Sequence, residues 1–236
     1  MKKAVVISDL HMFCRRSHWE QHLPHLHEAA SKADLFVFNG DTFDFRWTSL
    51  DSVEETIRAS ICFLRDFAKE HPQCQVHVNL GNHDHIAPFM QALDRLAQHT
   101  ENLSWDPYYL RVGSALFLHG DAATHRMDHD RLERNRARRP RHHRKQGRLK
   151  NRVYDAAVRA GAHVALSRLV FPRRRTAKCL SAYLEDIGHG SEDGVTRVYF
   201  GHTHVPLADY TYQGITFHNG GAALEGINFS LLQAAI

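Results

Sequence analysis

Apolar and polar positions along the chain recur in one rhythm: a short β-forming run, a turn rich in Gly, Asp, Asn or His, then apolar residues at helical spacing. Residues 3–8, 35–38 and 75–80 are compact Val/Ile/Leu/Phe-rich runs of strand length. Between them, residues 19–32 predict a helix in spite of Pro24, and Val53, Ile57, Ile61, Leu64 and Phe67 fall on one helical face behind a Ser52/Glu55 capping-box pattern. Pro88 suits the first turn of a further helix reaching Leu96. Residues 108–112 and 115–118 predict a hairpin around Gly113-Ser114. The rhythm lapses from 125 to 190, where Leu149, Val153, Ala157, Ala160 and Val164 outline one amphipathic helix, and Ala177, Leu180, Leu184 and Ile187, stopped by Gly188, a second. A strand at 196–200 resumes the pattern. Short strands at 207–212, 215–218 and 227–232, separated by turns at Gln213-Gly214 and Asn219-Gly220-Gly221, predict a meander. The expected organisation is a core in two parts, 1–124 and 191–236, with 125–190 inserted as a helical cap.

The turns that end the strands hold the chemistry. Asn39-Gly40-Asp41-Thr42-Phe43-Asp44 follows Leu35-Phe36-Val37-Phe38, and open α/β sheets place their sites at the C-terminal ends of such strands. A carboxylate has two oxygens, so Asp41 can bridge two cations. Four other stretches offer Asp, His and Asn ligands: Asp9-Leu10-His11, Gly81-Asn82-His83-Asp84, His119-Gly120-Asp121 and Gly201-His202-Thr203-His204. Alternate residues of an extended segment share a face, so Asp9 can pair with His11 and His202 with His204 on one cation, whereas His83 points away from Asn82. Any one of these turns alone reads as ordinary Gly-Asp or Gly-Asn turn chemistry. Five in succession, each closing an apolar strand, point to one assembled site.

Charge sharpens the picture. Between Arg126 and Lys178 there are 18 Lys/Arg against 4 Asp/Glu, a surplus of 14 positive charges, so with the chain at +4 the remainder carries −10. An acidic body suits cations, and a basic segment suits phosphate, an anionic lipid surface or nucleic acid. The four cysteines have no paired spacing and sit in apolar surroundings, as reduced small hydrophobes do, which favours a reducing, cytoplasmic compartment. Lys2-Lys3 precede an apolar run that Ser8-Asp9 ends too early for a secretion signal, and no apolar run is long enough to span a bilayer.

In this order, D-x-H, G-D-x-x-D, G-N-H-D, H-G-D and G-H-T-H resemble the calcineurin-like metallophosphoesterase superfamily, from Asp9 to His204. The resemblance implies an α+β fold in four layers, α/β/β/α, a β-sandwich flanked by helices. It assigns Asp9, His11, Asp41 and His204 to one metal and Asp41, Asn82, His119 and His202 to the other, with Asp41 bridging. It implies that His83 contacts or protonates the phosphoester and that Asp84 orients His83, and it leaves the part of Asp44 open. Two divalent cations about 3.5–4 Å apart supply hydroxide and offset phosphoryl charge. Nitrogen and oxygen donors without thiolate suit Mn²⁺, Fe or Zn²⁺, with Mn²⁺ expected.

Within that superfamily, the length, the helical insertion and Gly201-His202-Thr203-His204-Val205-Pro206 look like the UDP-2,3-diacylglucosamine hydrolases of lipid A biosynthesis, although those carry Arg at the position of His83. The branch implies an anionic, acylated nucleotide diphosphate and peripheral attachment to the inner membrane. Asn82, His83 and basic residues of 126–178 would bind substrate, and the faces Leu149/Val153/Ala157 and Leu180/Leu184/Ile187 would receive acyl chains. Two other readings compete: a general phosphodiesterase or nuclease whose arginines grip a polyanion, and a non-catalytic interaction module on the same fold. The intact ligand set argues against the last. The sequence does not specify an oligomeric state.

Overall fold

The computed structural model describes residues 2–137, residue 158 and residues 162–236 of the chain. Strands β1 (Lys3–Ile7), β2 (Leu35–Asn39), β3 (Gln75–Asn79) and β4 (Leu103–Asp106) run parallel in one sheet, and β10 (Leu232–Ala235) joins its other edge antiparallel to β1, giving the order β10-β1-β2-β3-β4. The second sheet has the order β5-β6-β7-β9-β8, built from β5 (Tyr109–Val112), β6 (Ala115–Leu118), β7 (Arg197–Tyr199), β8 (Leu207–Tyr212) and β9 (Ile215–Asn219). Side chains of a strand alternate between faces. Val5, Ile7, Phe36 and Phe38 therefore face one way, into a cluster with Leu26, Leu64, Phe67 and Phe89 of α1 (Trp19–Ala30), α2 (Val53–Glu70) and α3 (Ala87–Gln98). Ala4, Val6, Leu35 and Val37 face the other way, against Ala115, Phe117 and Tyr199 of the second sheet. The outer face of that sheet is covered by α6 (Arg173–Asp186), whose Ala177, Leu180 and Leu184 pack with Leu116, Val198 and Phe217. The result is the four-layer α/β/β/α sandwich. Two buried asparagines stitch its halves at the strand ends: Asn39 donates to the carbonyls of Leu118 (2.8 Å) and Tyr199 (3.1 Å), and Asn79 donates to Asn39 Oδ1 (2.8 Å) and to the Phe117 carbonyl (3.0 Å).

Several expectations change. The edge strand β4 has no counterpart among the predicted strands, and the last strand is β10 at 232–235, in the first sheet, in place of a meander strand at 227–232. Ser52 Oγ accepts from the Glu55 N–H at 3.0 Å as a helix cap, but Glu55 reaches past Ser52 to accept from the Asp51 N–H. Leu180 and Leu184, expected to receive acyl chains, are fully buried against the second sheet. Of the other predicted helix, Leu149, Val153, Ala157 and Ala160 lie outside the described residues; Val164 belongs to α5 (Ala162–Val170). The segment after the hairpin also supplies α4 (His129–Ala137), where Arg136 forms a buried two-pronged pair with Asp121, Nε to Oδ2 at 2.9 Å and Nη2 to Oδ1 at 2.8 Å. Arg175 donates to the carbonyls of Val170 and Thr124, both at 3.0 Å. These two members of the basic run hold the chain together.

Candidate metal centre

The loops that follow β1 and β2 continue their pairing beyond the sheet: the N–H groups of Asp9, His11 and Met12 donate to the carbonyls of Gly40, Asp41 and Thr42 at 2.8–3.0 Å. Across the sandwich, the Gly201 N–H donates to the His119 carbonyl at 2.8 Å. Five of the eight non-glycine residues with positive φ among the described residues stand here: Asp9, His11, Asp41, His202 and His204, at φ 47–64°. That backbone conformation costs about 1–3 kcal/mol per residue, so its concentration marks a place where side-chain aim outweighs local comfort. Two glycines make the convergence possible. A Cβ at Gly81 would run into Asp41 Oδ1, and one at Gly201 into Asp9 Oδ2.

Three groups of potential ligand atoms result, each with its atoms within 4.8 Å of one another: Asp9/His11/His204, Asp9/Asp41/His119 and His11/Asp41/His83. His204 Nε2 lies 3.2 Å from Asp9 Oδ1 and 3.3 Å from His11 Nε2. Asp41 Oδ2 stands between the sides, 3.4 Å from His119 Nε2 and 4.0 Å from His11 Nε2, while its Oδ1 accepts the His83 N–H at 2.7 Å. Asn82 is buried, and its carbonyl oxygen has no hydrogen-bond partner; Nδ1 of the fully buried His119 likewise lacks one. Buried polar atoms are nearly always satisfied, so these orphans at the strand-end loops fit divalent cations. His202 belongs to none of the three groups. Its N–H donates to Asp9 Oδ2 at 2.9 Å, its Nε2 meets Thr124 Oγ1 at 3.1 Å, and its ring stands edge-on to His119.

Electrostatics follows the geometry. Burial opposes charge on Asp41, yet His119 and His83 hold its carboxyl well below the usual range. Burial would depress His119, but Asp41 and Asp9 push it up to about 9. Such a histidine holds a proton where a cation would otherwise serve the same carboxylates. His202, beside His119 and buried, is pushed down to about 3.

Asp84, expected to orient His83, turns its oxygens to the backbone, and Asp44 is the carboxylate nearest the His83 ring nitrogen. Both Asp84 oxygens are taken by backbone: Oδ1 accepts from the Gly81 N–H at 2.6 Å, and Oδ2 from Thr42 at 2.8 Å and Phe43 at 3.4 Å. Asp84 thus ties the two central loops together, and burial followed by the Asp41 charge raises it to about 7. Asp44 Oδ2 instead lies 3.1 Å from His83 Nδ1 and 3.3 Å from His11 Nδ1. Against burial, Asp44 and Asp41 push His83 up to about 9. Arg16, Trp47 and Thr124 join the site from outside the strand-end motifs. Arg16 and Trp47 line the same pocket as His11, His83 and His204, with the guanidinium groups of Arg16 and Arg46 each 5.2 Å from the Trp47 ring. Nothing in their spacing links them to the strand-end motifs.

The sequence profile of the calcineurin-like phosphoesterases matches residues 2–206, and the chain belongs to that family. It is accordingly a metal-dependent phosphoester hydrolase, of a family that uses a divalent metal centre. Among solved structures, an archaeal phosphodiesterase is similar at 14% identity and a TM-score of 0.39, over 93% of this chain and 84% of that one. Chaetomium thermophilum Vps29 is similar at 13% identity and a TM-score of 0.39, over 100% of this chain and 80% of that one. No curated protein matches the chain.

Proposed function

We propose that the chain hydrolyses an amphiphilic phosphodiester or pyrophosphate of the UDP-2,3-diacylglucosamine type, with two cations, Mn²⁺ by preference, at the strand-end loops. The observation that carries the substrate reading is a groove leading away from His204. Two adjoining cavities, of about 80 and 560 Å³, share Arg168, Val205, Pro206 and Asn228; the smaller reaches His204 and the larger ends among Phe171, Pro172 and Leu207. The larger volume lies in the range of small-molecule sites. Its lining alternates arginine with apolar surface, as a substrate with both an anionic group and a hydrocarbon part requires. The helix α5, which supplies Arg168 to it, exposes Leu166 (59%) and Leu169 (77%), and the exposed Arg173 and Arg174 follow a few positions on in sequence. That juxtaposition supports peripheral contact with an anionic membrane, each basic side chain near the surface contributing about 1 kcal/mol. No described helix is long and apolar enough to cross a membrane.

In this reading, Asp9, His11, Asp41 and His204 hold one cation, and Asp41, Asn82, His119 and His202 the other. Bound there, the cations supply a nucleophile at neutral pH and offset the charge of the phosphoryl oxygens. The protein contributes the rest. Asp41 and Asp9 concentrate negative charge in a water-poor pocket, and Asp84 fixes the loops that carry Asp41 and Asn82. Asp44 holds His83 through Nδ1, so the proton for the leaving oxygen travels from Nε2. The basic segment 126–178 borders the substrate through residues such as Arg168 and Arg173.

Turnover of UDP-2,3-diacylglucosamine, a bis-aryl phosphodiester and single-stranded RNA, each with Mn²⁺ and after chelation, tests this. We expect kcat/KM highest on the acylated nucleotide, none on RNA, and loss of all activity on chelation. Preferred cleavage of RNA would move the assignment to a nuclease. Turnover of the aryl diester alone would leave a general phosphodiesterase.

A further inference from the structure

A second convergence of ligand atoms lies where α1 and α2 end. His27 sits in the last turn of α1, Glu70 is the last residue of α2, and His71 caps that helix. Their ligand atoms lie within 4.8 Å of one another. His27 Nδ1 is 2.9 Å from His71 Nε2 and 3.2 Å from Glu70 Oε2. Both imidazoles lean on the buried Phe67 ring, at centroid distances of 5.0 and 4.9 Å, so the core fixes their orientation. Asn102 fixes the backbone below, its amide nitrogen donating to the carbonyls of Ala68, His71 and Cys74, each at 3.0 Å.

Proton accounting leaves this cluster short. His27 Nδ1 carries at most one hydrogen, yet it faces both a carboxylate oxygen and an imidazole nitrogen. If it donates to Glu70, the His71 nitrogen must meet it with a lone pair; if His71 donates to it, its own lone pair faces a carboxylate. A single proton thus satisfies only part of the trio, whereas a divalent cation satisfies all three atoms together. Two histidines and one carboxylate form a donor set familiar for zinc, and Zn–N bonds of about 2.0–2.1 Å in a tetrahedron set ligand atoms about 3.3–3.4 Å apart. The observed spacings need to open by only a few tenths of an ångström. Two helix C-termini, each carrying partial negative charge, meet at the same point and add to the attraction for a cation.

We propose that His27, Glu70 and His71 form a binding site for a d-block divalent cation of the zinc class, separate from the phosphoesterase centre, that clasps the C-terminal ends of α1 and α2. Three protein ligands leave a fourth position for water. The cation contributes to stability and takes no part in hydrolysis.

The test uses the full chain with its catalytic centre loaded with Mn²⁺ and assayed on a bis-aryl phosphodiester throughout a titration with zinc chloride. The wild-type protein is expected to take up one zinc equivalent more than His71→Asn or Glu70→Gln, at unchanged turnover. The same zinc should raise its Tm by about 5 °C or more when zinc exceeds Kd a hundredfold, a rise absent from both variants. Glu70 is largely exposed (61%), so Glu70→Gln leaves folding intact and keeps the comparison valid if His71→Asn is unstable. Equal zinc uptake by all three proteins, or the same Tm rise in all three, would overturn the site and leave the trio as a hydrogen-bonded cluster.

Discussion

Replacing Arg136 by Met decides what one member of the basic segment is for. Arg136 and Asp121 are buried, joined by two hydrogen bonds of 2.8–2.9 Å, and the third guanidinium donor reaches the Pro107 carbonyl at 2.5 Å. The guanidinium also lies over the Tyr108 ring at 5.2 Å. Met fills a similar volume but strands the Asp121 carboxylate in a low-dielectric site, a loss of about 3–5 kcal/mol. Removing both charges in Asp121→Asn/Arg136→Met should restore much of that, giving a coupling energy above about 2 kcal/mol in a double-mutant cycle. Urea denaturation at fixed metal concentration measures it. The pH dependence supplies a second reading. Although burial would raise it, Arg136 holds the Asp121 carboxyl well below its ordinary 3.8, so the pair's stabilisation is present above pH 4 and is lost as pH falls through the folded value. Without Arg136 burial raises that pKa, and the deficit of the variant should shrink between pH 7 and pH 4. A deficit under about 1 kcal/mol that ignores pH, together with a raised KM, would refute the structural role and make Arg136 a substrate contact.

Other outcomes can be read from simpler experiments. Leu180→Ser and Leu184→Ser should each cost at least about 2–5 kcal/mol, because each empties a filled site against the second sheet, and activity on acylated and small substrates should fall in parallel with stability; a loss confined to the acylated substrate would show these leucines facing it. His83→Ala should lower turnover by about 10²–10⁴ on poor leaving groups and less on aryl esters, with metal content by mass spectrometry unchanged; Asp44→Asn should follow the same pattern more weakly. Loss of one metal equivalent from His83→Ala would instead count His83 among the ligands. Gly81→Ala should weaken metal binding in titration, since its methyl group displaces Asp41, and unchanged affinity would show that the loop yields freely.

The sequence was most informative where a structural cause is local. Each strand-end loop follows its own apolar run, so the loops of Asp9, Asp41, Asn82 and His119 could be placed from neighbouring residues alone. What depended on distant partners stayed hidden. The strand 232–235 is defined by pairing with β1 at the far end of the chain, and Leu103-Ser104-Trp105-Asp106 becomes a strand only because β3 offers it an edge. Adjacency also misled. Asp84 follows His83 directly, yet neighbours in a tight turn point apart, and the carboxylate that reaches the His83 ring is Asp44, thirty-nine positions earlier. The arginine run gave a charge total without showing that Arg136 and Arg175 are used internally.

The asparagine stitching of Asn39 and Asn79 has a consequence for how the enzyme acquires its ions. Asp9, Asp41 and Asn82 stand on loops of one sheet, and His119, His202 and His204 on loops of the other, so a cation bound between them would have to gather two halves of the molecule if nothing else did. The amides do this from within the protein, through hydrogen bonds to Leu118, Tyr199 and Phe117. These bonds join the sheets through protein groups alone, in contrast to domains whose halves meet only at a zinc ion. A cation placed between those loops would bridge parts that the amides already hold together, so exchanging it for another would not require the two sheets to separate.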